Sequence, residues 1–393
     1  MSLPENFCSA PFIQLQTSKD NRYGPCPYTV NHWQVEGNIA DKWKSKELES
    51  LRKSFLENKQ DPVCKRCWKE EEAGKKSLRL RLSEHKGSKN TKKIFEKYIE
   101  TKKYLEYPRV LTLIPGNECN LACPSCSGGF SSKWNSLIEN GKYEIQSMEP
   151  NWNLSDADYQ DIVDNSEKLQ KIELFGGEPF LNKRNRKLLI DKLIEKGTSK
   201  NITIYFNTNG TLFDEKYMTL IVNNFKFVEI RLSIDGLYEQ FEYLRYGANF
   251  EKVCENAEKF NSLPNADFEI ICTISIFNLF SIADMDKFFK ERNWSVYYNI
   301  ASFPSHLLLH NLPESTKDHV DVEPAFYDIK KYTTMKQCNQ SDWEKFVRYT
   351  KELDNNRGLS FKNTFPTLYN LSLIHISEPT RQAEISYAVF CLK

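Results

Sequence analysis

The sequence predicts an α/β fold: six strands alternating with crossover segments in a full or partial TIM-like barrel, behind a small cysteine-rich amino-terminal domain. Three observations carry this expectation. From Pro108 onward, short apolar runs alternate with amphipathic ones, the texture of repeated β/α units. Successive runs are separated by connections long enough for parallel pairing. A group of three cysteines follows the first run directly, where a barrel presents its functional loops.

The runs read as strands are 109–114 (RVLTLI), 171–176 (KIELFG), 201–207 (NITIYFN), 227–234 (FVEIRLSI), 268–276 (FEIICTISI) and 294–300 (WSVYYNI). Between them, 183–197 reads as a helix, with apolar Leu188, Leu189, Leu193 and Ile194 on one side and a terminal Gly197. A second helix is read over 249–263. Ahead of the barrel, residues 1–72 hold Cys8, Cys26, Cys64 and Cys67, and 73–104 is a charged helical connector. The barrel is expected over 105–310, with a carboxyl-terminal extension, truncated in this chain, over 311–370.

Composition narrows the function classes. The 54 basic and 53 acidic residues nearly cancel, so no global field points to nucleic acid or to a membrane surface. No apolar run of about 20 residues suggests a membrane span. The amino terminus lacks the basic-then-apolar order of a secretory signal, so the expected location is the cytoplasm. Eleven cysteines in such a compartment read as metal ligands or core residues, not as a disulfide framework. The final stretch, 371–393, reverse-translates in frame to something resembling a transposase-type sequencing adapter. It is set aside as an artefact, Cys391 and His375 with it.

"CNLACPSC" (119–126) carries the chemistry. It places Cys119, Cys123 and Cys126 at C-x3-C-x2-C, with no histidine nearby. A structural zinc site closes all four positions with protein ligands. A [4Fe–4S] cluster held by three thiolates leaves one iron open to a small molecule.

This spacing after a first barrel strand resembles the radical S-adenosylmethionine superfamily, and the later strand ends add to the likeness. "FGGEPFL" (175–181) matches the family's G-G-E-P element, "NTNG" (207–210) and "SIDG" (233–236) its polar strand ends, and "YLRYG" (243–247) a recurrent element. The resemblance implies a partial (β/α)6 barrel in which Cys119, Cys123 and Cys126 hold the catalytic [4Fe–4S] cluster. S-adenosylmethionine chelates the open iron and is cleaved reductively to a 5′-deoxyadenosyl radical that abstracts hydrogen from a substrate. Gly176, Gly177, Glu178, Pro179, Asn209, Ser233, Asp235 and Arg245 are the implied cofactor-binding positions, with Glu178 accepting from the ammonium group and Arg245 facing the carboxylate or an ordinary ion-pair partner. One departure is Ser125, where the family often has an aromatic residue against adenine.

Cys8, Cys26, Cys64 and Cys67 resemble the ligands of a twitch domain, the short relative of the SPASM domain, placed here before the barrel. Pro27 stands where a second adjacent cysteine is often found. The four thiols suit an auxiliary [4Fe–4S] cluster or an all-cysteine zinc site. By family analogy the expected substrate is a peptide or protein, with a sugar, nucleotide or cofactor precursor as the rival reading and a non-catalytic zinc module behind both. A reductase, or a flavodoxin- or ferredoxin-type protein, is the expected electron donor. Cys254 and Cys272 read as core residues, Cys338 as incidental, and His306 and His310 form no metal pair.

Overall fold

A computed structural model describes residues 3–29, 33–72, 76–84, 88–101, 103–141, 143–320 and 327–372. The adapter-like tail beyond Ser372, with His375 and Cys391, lies outside them. All six strands read from the sequence form: β4 (Val110–Leu113), β5 (Lys171–Leu174), β6 (Thr203–Thr208), β7 (Phe227–Ser233), β8 (Ala266–Ile274) and β9 (Val296–Ile300). They pair in parallel and in chain order, from Val110↔Lys171 at one end to Ile270↔Val296 at the other. Among the described residues β9 pairs with β8 alone, so the barrel is partial and the sheet has two edges.

The amino-terminal segment contributes to the same sheet, which the sequence reading did not anticipate. Gln14–Thr17, labelled β1, runs parallel to β4 with Gln14 opposite Val110 and Gln16 opposite Thr112. Arg22–Gly24 (β2) and Trp33–Gln34 (β3) follow as antiparallel partners, giving the order β3-β2-β1-β4-β5-β6-β7-β8-β9. The β1–β2 turn places Asp20 and Asn21 in the left-handed region, at φ 57° and 54°, where aspartate and asparagine are tolerated. β1 escaped notice because it is only four residues long and two of those are glutamine.

Strand periodicity explains the layering. Ile172, Leu174, Ile204, Phe206, Val228, Ile230, Leu232, Ile270, Cys272 and Ile274 are fully buried beneath the crossover helices. Their neighbours on the opposite face are mostly polar, namely Lys171, Glu173, Tyr205, Asn207, Glu229, Arg231, Glu269 and Thr273, with Ile271 an apolar exception. Side chains alternate along a strand, so one face builds the core and the other lines the barrel interior. The helix read over 183–197 forms as a π-turn, Asn185–Ile190, running into Asp191–Lys196 and ending at Gly197 with φ 74°. The helix read over 249–263 is Phe250–Asn261, capped by the Asn249 side chain accepting from the Lys252 N–H.

A second apolar core gathers Phe7, Phe12, Phe55, Trp68 and Phe95 around Cys8, Cys26 and Cys64. It is tied to the barrel by a fully buried ion pair, Lys42 Nζ to Asp158 Oδ1 at 2.9 Å, and by Trp43 Nε1 donating to the Leu105 carbonyl at 2.7 Å. The charged stretch contains the helices Leu78–Glu84 and Ser88–Thr101. Beyond β9 the chain returns to the cysteine loop in the long helix Gln340–Arg357. Among the described residues no helix is long and apolar enough to cross a membrane.

Candidate functional site

The strand-end loops converge on a cavity of about 600 Å³. Cys119, Cys123 and Cys126 line it together with Gly176, Gly177, Asn209, Ser233 and Arg245. Its deeper wall is the polar face of the sheet: Tyr205, Asn207, Arg231, Glu269, Thr273, Tyr297 and Asn299. Residues from 119 to 299 thus meet in one place, as the sequence reading required for its cysteines and strand ends. Glu178, Pro179 and Asp235 do not line the cavity.

Local backbone chemistry shapes the cysteine loop. The Cys126 N–H donates to the Cys123 carbonyl at 2.9 Å, and the Ala122 N–H to the Tyr246 carbonyl at 3.0 Å. Trp134 Nε1 donates to the Cys123 carbonyl at 2.9 Å, and Ser131, the cap of helix Ser132–Asn140, reaches the Leu121 carbonyl. The G-G-E turn packs against this loop. The Gly177 N–H donates to the Gly116 carbonyl at 3.2 Å and the Glu178 N–H to the Glu118 carbonyl at 2.8 Å. Gly176 sits at φ 104°, and a Cβ on it would stand 2.8 Å from the Gly116 oxygen. Glycine is needed there for conformation and for close approach.

Glu178 turns inward. Its Oε1 accepts from the Thr208 hydroxyl at 2.8 Å and the Phe180 N–H at 3.2 Å, and its Oε2 from the Asn209 N–H at 2.7 Å. It therefore braces the end of β6, a partner set that strand spacing does not reveal. Burial pushes its carboxyl up to about 7, against the pull of the Asn209, Thr208 and Phe180 donors and of Arg245. Asn209 Nδ2 lies 2.9 Å from Asn120 Oδ1 and 3.9 Å from Cys119 Sγ.

Arg245 pairs with Asp235 at 2.6 Å and points Nη1 at Cys123 Sγ, 3.9 Å away. Asp235 also accepts from the Thr273 N–H at 2.8 Å, so its carboxylate is committed to the protein. Burial opposes the charge on Arg245, but Asp235 and the Cys123 sulfur outweigh it and the guanidinium stays charged. Aromatic surface in the cavity comes from Phe130, Phe175, Tyr205 and Tyr297, where Ser125 supplies none. Phe175 and Tyr205 stack at 5.1 Å.

The donor set suits a metal cluster. Burial, then repulsion from neighbouring sulfurs, pushes the Cys119 and Cys126 thiols up to about 12. Burial also raises Cys123, with Arg245 pulling it back. A cationic metal core relieves both causes, because a coordinating thiol is deprotonated outright. Among the described residues no three histidine, cysteine, aspartate or glutamate side chains converge tightly enough for one metal ion. A four-iron cluster distributes its thiolates over separate irons.

The amino-terminal set shows the same pattern. Cys8, Cys26, Cys64 and Cys67 line one small enclosed cavity walled by Leu51, Phe55, Leu78, Arg79 and Leu82. Burial raises all four thiols, and each of Cys8, Cys64 and Cys67 also feels other sulfurs of the set. The remaining cysteines lie elsewhere: Cys272 is fully buried beside Met285, and Cys338 bonds the Asn311 carbonyl.

Three residues holding the cysteine loop were not foreseen. The Tyr349 hydroxyl donates to the Pro124 carbonyl at 3.1 Å and accepts from Gln146 Nε2 at 2.8 Å. Gln146 also donates to the Cys126 carbonyl at 3.0 Å, and Arg357 Nη2 to the Ala122 carbonyl at 3.0 Å. Sequence carries no motif for them, since two of the three residues lie more than 200 positions from the loop they hold.

Comparison with known proteins agrees with this geometry. Residues 113–287 match the family described as the Radical SAM superfamily. Residues 113–287 therefore carry a radical S-adenosylmethionine domain, a family whose cofactors are a [4Fe–4S] cluster and S-adenosylmethionine. No curated protein matches the chain. Among solved structures it is similar to native anSMEcpe with bound AdoMet, at 20% identity over 63% of this chain and 62% of that one, TM-score 0.41. It is also similar to Streptococcus suis SuiB bound to S-adenosylmethionine, at 17% identity over 77% and 64% of the two chains, TM-score 0.37. The chain spans less than two thirds of the length of either protein.

Proposed function

We propose that this protein uses its radical S-adenosylmethionine domain to cleave that cofactor reductively and abstract hydrogen from a peptide or protein. The observation carrying the reading is the set of three buried thiols at the wall of one cavity, beside Gly176, Gly177, Asn209, Ser233 and Arg245. When bound, the cluster and S-adenosylmethionine supply the electron transfer and the hydrogen abstraction. This chain's own residues hold, orient and screen. Cys119, Cys123 and Cys126 hold the iron. Gly176 and Gly177 admit the cofactor close to the backbone, and Asn209 and Ser233 offer polar contacts. Arg245 keeps positive charge beside the thiolates, braced by Asp235. Glu178 acts from behind, fixing the Thr208–Asn209 strand end.

In the same reading residues 1–72 are a twitch-type domain in which Cys8, Cys26, Cys64 and Cys67 hold an auxiliary [4Fe–4S] cluster. Four thiols on one enclosed cavity leave no ligand position open, which favours electron relay over substrate coordination. A cluster is favoured over zinc because it would accompany a redox enzyme. Residues 73–104 connect this domain to a barrel over 105–310, 311–370 form a carboxyl-terminal extension, and 371–393 are adapter-like. The peptide substrate and a flavodoxin- or ferredoxin-type donor rest on family analogy, with a small-molecule substrate as the rival.

The test uses anaerobically reconstituted protein, S-adenosylmethionine and dithionite, with 5′-deoxyadenosine followed by chromatography. Product from the wild type and none from a Cys119→Ala, Cys123→Ala, Cys126→Ala triple variant is expected. Iron at about eight per chain, falling to about four in that variant, is expected for two clusters. Full iron with no product sinks the catalytic reading, and about one zinc in place of four irons sinks the auxiliary cluster.

A further inference from the structure

Arg357 ends the helix Gln340–Arg357 and is 8% exposed. Its Nη2 donates to the Ala122 carbonyl at 3.0 Å, while Nε and Nη1 are buried without a partner. The guanidinium lies over Trp134 at 4.6 Å and Tyr246 at 4.4 Å, and no carboxylate among the described residues pairs with it. A buried cation with neither water nor a counter-ion is costly. Two other well-buried arginines avoid that cost with carboxylates: Arg245 has Asp235 and Arg79 has Glu71.

Ala122 stands between Cys119 and Cys123, so the Arg357 guanidinium lies against the cysteine loop itself. Arg52 repeats the arrangement at the amino-terminal set. It is 2% exposed, has no carboxylate partner among the described residues, and donates from Nε to the Pro11 carbonyl at 2.8 Å; Pro11 lines the cavity of Cys8, Cys26, Cys64 and Cys67. Each cysteine set thus has a buried arginine behind it with no ion-pair carboxylate among the described residues, although Tyr104 and Glu49 offset part of the charge on Arg52.

We infer that Arg357, outside the matched domain, is a positioning residue whose positive charge is balanced by the iron–sulfur cluster on Cys119, Cys123 and Cys126 and favours that cluster's reduction. The inference rests on the cluster assignment made above. A fixed cation beside an anionic cluster stabilises the form carrying the extra electron, so it raises the potential of the one-electron couple. The charge lies in a low-dielectric site where screening by water is weak. Trp134 and Tyr246 hold its plane, and the Ala122 bond fixes its distance from the loop.

The experiment is a dithionite-based redox titration of the reconstituted protein followed by electron paramagnetic resonance, with iron content measured alongside. The cysteine triple variant identifies which signal belongs to the catalytic cluster. Arg357→Met, which keeps length and apolar packing, is expected to make that cluster about tenfold harder to reduce, a shift of about 59 mV for one electron. The amino-terminal signal is expected to stay where it is. Arg357→Lys keeps the charge and is expected to stay near the wild-type potential. Should Arg357→Met fail to fold, Arg357→Gln is the second neutral variant. An unchanged potential in a neutral variant overturns the inference, as does a lysine variant shifted as far as the neutral one. Absence of a cluster signal in the wild type instead overturns the underlying assignment.

Discussion

Replacing Asp235 with asparagine tests the electrostatics of the site directly. In the native structure Asp235 Oδ2 meets Arg245 Nη2 at 2.6 Å, and Oδ1 accepts from the Thr273 N–H at 2.8 Å. Asparagine can keep the second bond through its carbonyl oxygen, so the change isolates the charge. It leaves Arg245, 15% exposed, with its Nε already unpartnered and only the Cys123 sulfur at 3.9 Å beside Nη1. Removing one member of a buried pair costs about 3–5 kcal/mol, because the other charge remains buried and uncompensated. At about 3 kcal/mol per molar, that lowers the urea midpoint by about 1 M or more. The assay is urea unfolding of wild type, Asp235→Asn, Arg245→Met and the double variant, followed by far-UV circular dichroism. Arg245→Met strands the carboxylate in turn, so the double variant is expected to be more stable than the two losses added together, by about 2 kcal/mol. A loss below about 1 kcal/mol in Asp235→Asn, or additivity within about 0.5 kcal/mol, refutes the pairing argument.

Two further expectations come from the same loops. Glu178 has its carboxyl raised from an ordinary 4.5 to about 7 by burial. The unfolded chain therefore releases this proton first, so stability falls as pH rises from about 4.5 to about 7, by about 3 kcal/mol, and is flat on either side. Glu178→Gln cannot titrate. The stability difference between it and the wild type should change by that amount between pH 4.5 and 8, and a constant difference contradicts the assignment. Gly177→Ala would drive a Cβ into the Glu118 carbonyl next to Cys119. Lower iron retention after reconstitution is expected, read by iron assay, whereas full iron with a native spectrum shows that the turn can give way.

Much of the site was legible because its determinants are local. Apolar residues at every second position of "KIELFG" or "EIICTISI" define strands whatever lies around them. The C-x3-C-x2-C and G-G-E-P stretches are contiguous, so Cys119, Cys123 and Cys126 stood out by spacing and Gly176 and Gly177 by family resemblance, and all five line one cavity. The sequence also determined that the strands have long crossovers, and hence a parallel sheet.

Tertiary structure decided the partners. Nothing in "QLQT" announces that Gln14–Thr17 will pair with a strand almost a hundred residues later. Whether Glu178 faces a ligand or the backbone of Asn209, and whether Arg245 meets Asp235, depends on where separate strand ends stop relative to one another. Tyr349 and Arg357 reach the cysteine loop across 225 and 235 residues. Helical periodicity marks them as residues with a buried side but not what they bury against. A side chain's propensity belongs to its own few neighbours in the chain, whereas the pairing of a buried charge is settled only when distant segments have packed.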